Sequence, residues 1–175
     1  RLLVDSIEEP SGQTTTFSYY DDGLLQQTVD PTGTIAYTYD AKGRRTTVTE
    51  GTDVITRSYD ELDRIQSFTD SQGNTIGYEF DGGGRCATLS YPNSKGDVTY
   101  AYDNAGRLLT VTDWASRVTE FIYDANSRLS EIRYPNGVTC TFEYDSAGRL
   151  TRQTDSRTSD QTVLLDQSFT YDALN

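Results

Sequence analysis

The sequence has 175 residues, of which 34% are hydrophobic and 24% charged, proportions that are ordinary for a soluble folded chain. Its 27 acidic and 15 basic residues give a formal charge of −12, which would repel the phosphate backbone of a nucleic acid, so we exclude that class of partner. The chain has no histidine and therefore lacks the imidazole base that a serine or cysteine nucleophile commonly uses, so we expect no enzyme and no cofactor.

The two ends of the chain indicate a piece of a longer protein. The first residues, RLLVDSIEEP, have neither the apolar stretch nor the cleavage pattern of a signal peptide, and they do not begin with Met. The last residues, YDALN, stop partway through a motif that occurs repeatedly upstream. We therefore expect any targeting signal to lie outside this chain. No apolar run reaches the roughly 20 residues that span a bilayer, so we expect no membrane insertion.

One motif recurs along the whole chain: two aromatic residues in alternate positions, an Asp, a short turn, Gly and Arg. The position after the last aromatic residue is occupied in turn by Tyr20, Asp40, Asp60, Asp81, Asp103, Asp124, Asp145 and Asp172. A period of about 20 residues fits two strands and two turns and leaves no room for a helix with its connections. We therefore predict an all-β fold, a single array over residues 1–175 of about eight tandem β-hairpin repeats, the last truncated, forming a curved, coiled antiparallel sheet.

The turn after the aromatic pair is the most regular part of the repeat. Asp40 opens the turn DAKG and Gly43 closes it, a pattern typical of a type I turn whose last residue is left-handed and forms a bulge. Gly106 and Gly148 occupy the same position as Gly43. In two copies Asp63 and Ser127 replace this glycine. Because Ser tolerates the left-handed conformation less well than Asp, we expect the turn at Ser127 to be the more altered of the two.

Hairpin geometry of this kind fixes which residues face each other across the two strands. Asp should lie opposite the Arg four residues later, giving the pairs Asp40 with Arg44, Asp60 with Arg64, Asp81 with Arg85, Asp103 with Arg107, Asp124 with Arg128 and Asp145 with Arg149. The opposite face receives the apolar partners of the last aromatic residue, which is Tyr39, Tyr59, Tyr102, Tyr123 or Tyr144 in five of the copies. These residues form the structural repeat motif, and each ion pair should add modestly to stability.

The aromatic residues two apart lie on one face of their strand and predict an aromatic stripe along the sheet. On this face we place Glu131 opposite Phe121 and Arg152 opposite Phe142. Charged side chains there favour a sheet with both faces wet over a dry compact core. The second turns are less regular: DPTG, DSQG, YPNSKG and YPNG all carry turn-forming residues. The segment SRTSDQ, before the last copy, indicates a loop insertion.

The wording YxYDxxGRL, followed by TD and Gly about ten residues later, resembles the RHS or YD repeat family over nearly the whole chain, from Phe17 to Asn175. That family includes bacterial Rhs polymorphic toxins, the B and C components of Tc toxin complexes, wall-associated proteins and teneurins. The resemblance implies part of a hollow β-shell that encloses a C-terminal toxin or other cargo in a secreted or cell-surface bacterial protein. Its partners would be the remainder of the shell and the enclosed segment. Repeat one departs from the family pattern, with Tyr20 in place of Asp and Leu24 in place of Arg.

Other functions remain open at the level of the sequence. Trp114, in the turn DWAS, is a possible glycan contact, because exposed Trp and Tyr rings stack on sugars; packing of its ring over its own hairpin is the simpler alternative. An adhesive surface module is also possible, since open strand edges favour self-association. Acidic residues at the turns could bind Ca²⁺ or form a glycosidase-like pair, although their spacing does not resemble a calcium loop, so we expect no metal site. Cys86 and Cys140 could pair, although strand packing is the favoured role.

Overall fold

The computed structural model describes residues 3–93 and 95–172, and within these ranges the chain forms antiparallel strands and no helix. The strands are β1 (Ser6–Glu8), β2 (Thr14–Tyr19), β3 (Leu25–Asp30), β4 (Gly33–Tyr39), β5 (Arg45–Glu50), β6 (Asp53–Tyr59), β7 (Ile65–Thr69), β8 (Thr75–Phe80), β9 (Cys86–Tyr91), β10 (Gly96–Tyr102), β11 (Leu108–Thr112), β12 (Val118–Tyr123), β13 (Leu129–Arg133), β14 (Val138–Tyr144), β15 (Leu150–Arg157) and β16 (Val163–Ser168). Their order in the sheet is their order in the chain. The predicted all-β fold of tandem hairpins is confirmed.

The chain divides into two compact units. The first comprises Arg1–Glu79 with Ser90–Ser94, and the second Phe80–Leu89 with Lys95–Asn175. Within each unit a strand pairs with the next strand along the chain, as β2 does with β3 and β12 with β13. Neighbours in sequence are therefore neighbours in space, which is the contact pattern of a repeat protein. That the copies form a single array over residues 1–175 stays a prediction.

The turn after the aromatic pair has the geometry that its sequence predicts. The Asp103 N–H donates to the Arg107 carbonyl at 2.9 Å, and the Gly106 N–H donates back to the Asp103 carbonyl at 2.9 Å. Gly106 has φ +84°, a conformation that glycine adopts without a Cβ clash. Asp63 and Ser127 both have φ +64°, so the expectation that Ser127 distorts its turn more than Asp63 is wrong. The hydrogen bonds that close the turn hold the backbone of either residue in the left-handed conformation.

A β-bulge follows this turn and corrects the predicted cross-strand pairing. Tyr123 faces Leu129, but the next pair is Ile122 with Glu131, so Ser130 is an extra residue. The same one-residue shift occurs at the hairpins of β2–β3, β4–β5, β6–β7, β10–β11 and β14–β15. A one-residue slip moves side chains to the other face of the sheet. The placement of Glu131 and Arg152 on the aromatic face is therefore wrong.

Glu131 and Arg152 instead lie on the polar face, where each has a partner of opposite charge. Glu131 accepts from Arg133 at 2.6 Å, and Arg152 donates to Asp166 at 2.7 Å. Phe121 and Phe142 face Ile132 and Gln153 respectively. Glu131 and Arg152 therefore do not support a wet aromatic face, and the sequence-based argument that rested on these two residues is wrong.

The two faces of the strands differ in chemistry. In the first unit Tyr37 pairs with Val48, which pairs with Ile55, so aromatic and aliphatic residues share one face. On the other face hydroxyl groups bond across the strands, and the sequence analysis did not identify this row. Its hydroxyl pairs are Thr38 with Thr47 at 2.6 Å, Ser58 with Ser67 at 2.6 Å, and Thr69 with Thr75 at 2.8 Å.

Few side chains are fully buried. Among the described residues the buried hydrophobic side chains are Val98 and Cys140, at 7% and 3% exposure, and both belong to the second unit. Cys86 and Cys140 are free thiols. Burial, followed by the nearby Asp155 carboxylate, raises the pKa of Cys140 to about 12, so this thiol is held in its unreactive protonated form. Neither unit stabilises itself through a large dry core.

The remaining turns and the chain end complete the fold. The segment SRTSDQ does not form a simple loop insertion, because its first two residues extend β15 to Arg157. Gln161 then closes the turn at φ +58°, and its N–H donates to the Arg157 carbonyl at 2.8 Å. The end of the truncated last copy, residues 173–175, and residue 94 of the YPNSKG turn lie outside the described residues. The described part of the chain contains no helix long and apolar enough to cross a membrane.

Candidate functional site

The Asp of each first turn binds both its own turn and an arginine. In repeat five, Asp103 Oδ1 accepts the N–H groups of Ala105 and Arg107 at 2.9 Å each. Its Oδ2 accepts from Arg107 Nε and Nη2 at 2.7 Å. The carboxylate therefore closes the turn and orients the guanidinium at once. Charge-assisted bonds of this length are stronger than neutral ones.

This arrangement is repeated almost unchanged. Nitrogen–oxygen distances of 2.6–2.8 Å join Asp40 to Arg44, Asp60 to Arg64, Asp81 to Arg85, Asp103 to Arg107, Asp124 to Arg128 and Asp145 to Arg149. The hydrogen bonds from the Arg85 side chain and then from its backbone N–H lower the pKa of the Asp81 carboxyl. The pKa values of Asp40 and Asp145 are lowered as well, for Asp40 mainly by the Arg44 side chain and for Asp145 mainly by the Arg149 N–H. These carboxyls are therefore ionised at neutral pH, where they cannot act as general acids.

Five of these arginines also lie over a tyrosine of the following repeat. The guanidinium carbon lies 4.6–4.7 Å from the ring centroid in Arg44 with Tyr59, Arg85 with Tyr102, Arg107 with Tyr123, Arg128 with Tyr144 and Arg149 with Tyr171. At this distance a cation is attracted to the ring face. Arg44 also donates from Nη1 to the carbonyl of Asp60 at 2.8 Å, and Arg128 to that of Asp145 at 3.2 Å. Arg44 and Arg128 thus connect their own turns to the next ones.

The tyrosine completes the connection in the reverse direction. The Tyr102 hydroxyl donates to the Cys86 carbonyl at 2.9 Å, and the Tyr123 hydroxyl to the Leu108 carbonyl at 2.9 Å. Equivalent bonds of 2.7–2.9 Å are made by Tyr39, Tyr59, Tyr144 and Tyr171. We call the recurring set of Asp, Arg and the Tyr of the following repeat the turn ladder.

The structure brings together residues that the sequence analysis kept apart. The Asp and Arg of one repeat and the Tyr of the next meet at the hairpin ends, whereas the sequence analysis placed Tyr only against the apolar residue of its own hairpin. The Arg-to-Tyr offset is 16 residues from Arg107 to Tyr123 but 15 from Arg44 to Tyr59, as counted along the sequence. The offset predicts the Arg–Tyr contact only after both strands and the second turn that lie between the two residues have been assigned.

Some second turns use the same carboxylate geometry, which the sequence analysis also missed. Asp113 accepts from Arg117 at 2.6 Å, and Asp70 accepts from the Asn74 side-chain amide at 2.8 Å. Trp114 lies in the turn that Asp113 closes, and half of its surface, 50%, is exposed. The signal in the sequence is an Asp with Arg or Asn four residues later.

The chemistry of the ladder is that of a structural clamp. Its carboxylates are engaged by backbone N–H groups and guanidinium groups in every described copy from Asp40 to Asp145. Over the residues that the structure describes, no three His, Cys, Asp or Glu residues are grouped so that they could hold a metal ion. The fold and the ladder together define a tandem repeat module whose successive hairpins are cross-linked through side chains.

The comparisons with known proteins identify the family of this module. The teneurin YD-shell family model matches residues 3–112, and the RHS repeat model matches residues 123–160. Because the first match covers more than half of the sequence, the chain belongs to the YD-shell family, whose members are shell-forming repeat proteins. Both families are structural repeats and neither is a family of enzymes. No curated protein matches the sequence.

Solved structures of Tc toxin components are also similar. One is a Photorhabdus luminescens Tc holotoxin pore, at 15% identity and a TM-score of 0.32, with 91% of this chain and 13% of that chain covered. Another is a TcdB2-TccC3-Cdc42 crystal structure, at 16% identity and a TM-score of 0.29, with 93% and 14% covered. The chain therefore spans about one seventh of the length of these proteins.

Removal of one tyrosine hydroxyl tests whether the ladder stabilises the fold. We expect Tyr102→Phe to lower the free energy of unfolding by about 0.5–1.5 kcal/mol, because the Cys86 carbonyl loses its hydrogen bond while the ring remains under Arg85. Urea unfolding of the chain measures the change. The control is Tyr134→Phe, in an exposed second turn, which should alter stability much less. Equal losses in both variants would contradict the prediction.

The lowered pKa of Asp81 predicts how the ladder responds to acid. A carboxyl whose folded pKa is below its ordinary value of 3.8 adds stability above about pH 4 and loses that contribution as pH falls through the folded pKa. We therefore expect Asp81→Asn to lower the unfolding midpoint at pH 7, and we expect its difference from the unaltered chain to shrink progressively as the pH falls below 3.8 and through the lowered folded pKa of Asp81.

Asp70→Asn provides the comparison, because Asp70 is held by a neutral amide. At about 1 M salt, the difference in unfolding midpoint between the unaltered chain and Asp81→Asn should become smaller, whereas the difference between the unaltered chain and Asp70→Asn should not change. Thermal unfolding followed by circular dichroism measures the unfolding midpoints of the two variants and of the unaltered chain. If the difference in unfolding midpoint between Asp81→Asn and the unaltered chain did not depend on pH, an ion-pair contribution from Asp81 would be ruled out.

Proposed function

We propose that this chain, as one array of about eight repeats, forms part of the wall of a hollow β-shell. The shell belongs to a large secreted or surface-exposed bacterial protein and sequesters a C-terminal toxin or other cargo. Membership of the YD-shell family supports the shell-forming role. The turn ladder is the observation that carries the proposal.

A wall must keep its strands in place without a thick core on either side. In the first unit no described residue is buried, and in the second only Val98 and Cys140 are buried hydrophobic residues. Hydrophobic burial therefore contributes less here than in a globular domain of the same size. The ladder stabilises the hairpin ends, because an arginine such as Arg107 bonds to its own Asp and lies over the Tyr of the next repeat.

The chemistry of the two faces also suits a wall. Hydroxyl pairs such as Ser58 with Ser67 satisfy one another across the strands, so the polar face needs no covering layer. On the other face, Tyr and Phe rings combine an apolar body with a polar end and tolerate partial exposure. A sheet of this kind can have water or another polypeptide on either side.

Limited proteolysis of the full-length parent protein tests the proposal. We expect a C-terminal segment to survive protease while the repeats are intact and to be digested once mild denaturant opens them. An Arg107→Ala, Arg128→Ala double variant should expose the segment at a lower denaturant concentration, because two connections between repeats are lost. Arg133→Ala is the control, since Arg133 pairs with Glu131 on the polar face outside the ladder. Mass spectrometry identifies the fragments.

Immediate digestion of the C-terminal segment in the unaltered parent would contradict enclosure. An adhesive or glycan-binding role would then be the better proposal. If the double variant released the segment at the same denaturant concentration as the Arg133→Ala control, the turn ladder would not be what keeps the segment enclosed, and the proposal of enclosure itself would stand.

Glycan binding is the second candidate, and the position of Trp114 favours it. Half of the Trp114 surface is exposed, and Gly96 packs so closely that a Cβ on it would lie 2.9 Å from the Trp114 Cβ. This close contact holds the backbone and the Cβ of Trp114 in place. A sugar that stacks on the ring would change the fluorescence of Trp114, the single Trp of the chain. Titration with a broad set of glycans should give a saturable change that Trp114→Ala abolishes; no change with any glycan would eliminate this candidate.

A further inference from the structure

The turn ladder changes its chemistry at its first step. In the later repeats an Arg covers the Tyr of the next repeat, as Arg44 covers Tyr59. Leu24 occupies the arginine position before Tyr39. Among the residues that the structure describes, no cation lies over the Tyr39 ring. The tyrosine is otherwise held as in the other repeats, since its hydroxyl donates to the Leu25 carbonyl at 2.9 Å.

A cavity of about 420 Å³ lies at this position. Its lining comprises Tyr20, Asp21, Asp22, Leu24, Tyr39 and Asp40. The rings of Tyr20 and Tyr39 are perpendicular, with centroids 6.2 Å apart, so they form two walls of a corner. The Tyr20 hydroxyl donates to the Tyr37 carbonyl at 2.9 Å, which holds its ring in place. We call this corner the Tyr39 cavity.

The charge of the Tyr39 cavity is negative. Asp40 is paired with Arg44 at 2.7 Å, so its charge is balanced within the chain. Asp21 and Asp22 are exposed carboxylates, and Asp22 accepts only a neutral N–H, that of Leu24 at 3.0 Å, among the bonds observed for it. Two aromatic walls with an excess of carboxylates form the environment that binds organic cations through the ring face.

We propose that the Tyr39 cavity binds the guanidinium group of an arginine side chain carried by another polypeptide segment. The equivalent tyrosines show what the surface accepts, because five of them have a guanidinium at 4.6–4.7 Å from the ring centroid. A planar guanidinium can stack on Tyr39 and donate two hydrogen bonds to a carboxylate in its own plane, whereas a lysine ammonium has neither the flat face nor the bidentate geometry and is more strongly hydrated. The inference goes beyond the shell function and does not depend on whether the shell encloses cargo.

Titration with N-acetyl-arginine amide, followed by NMR of the tyrosine ring signals, tests the proposal. The signals of Tyr20 and Tyr39 should shift saturably, with a dissociation constant on the order of 1 mM for a single side chain. Tyr59 should not shift, because Arg44 already covers its ring. N-acetyl-citrulline amide has nearly the same shape without the charge and should not bind, and N-acetyl-lysine amide should bind at least threefold more weakly. Equal binding of all three probes, or no saturable shift at Tyr39, would overturn the proposal.

Two variants connect the binding to the cavity. The double variant Tyr20→Asp, Leu24→Arg removes the Tyr20 wall and restores the Asp and Arg of the other repeats, so the lost wall and a guanidinium of its own over Tyr39 should together weaken probe binding at least tenfold. The double variant should also have a higher unfolding midpoint than the unaltered chain, and its unfolding transition would show that the variant is folded. Asp21→Asn alters an exposed carboxylate and should weaken binding about threefold without changing that midpoint. Unchanged affinity in either variant would show that the probe binds elsewhere and would overturn the assignment.

Discussion

The guanidinium that lies between an aspartate of its own hairpin and a tyrosine of the next is the interaction on which the rest of the structure depends. Arg107 shows it fully: two nitrogens bond to Asp103, and the plane of the group covers Tyr123. Because the aspartate also closes the type I turn, the turn conformation and the contact between repeats are set by the same carboxylate. A change at any of the three residues would therefore disturb local and longer-range structure together.

This dependence follows from how little the chain buries. Among the described hydrophobic residues only Val98 and Cys140 are buried, so the fold cannot rely on a core to select one arrangement of its strands. Instead, many moderate contacts repeat at a fixed period, and stability accumulates from one repeat to the next. The acidic character of the sequence fits this design, since turn carboxylates such as that of Asp124 are paired with an arginine and stabilised by hydrogen bonds from backbone N–H groups.

The sequence predicts the fold well because turn chemistry is local. Asp103 and Gly106 are enough to predict the turn and to place Tyr102 opposite Leu108. Prediction fails one residue further on, at the bulge, because nothing about the side chain of Leu109 or Ser130 indicates that it is the extra residue. The contact of Arg107 with Tyr123 was not predicted either, because it joins residues of different hairpins. Periodicity indicates which residues recur, whereas contacts between repeats depend on the spacing of strands in three dimensions.

The equivalence of the ladder steps also bears on how such an array can change its length. The five observed Arg–Tyr steps have nearly the same geometry, so removing or duplicating one complete unit between such steps leaves each of these arginines with a ring and each of these tyrosines with a carbonyl. Loss of half a unit would instead bring an arginine beside the wrong strand. Gene duplication and deletion in whole-repeat steps are therefore compatible with this repeat module, and the number of repeats can change without new contacts between them.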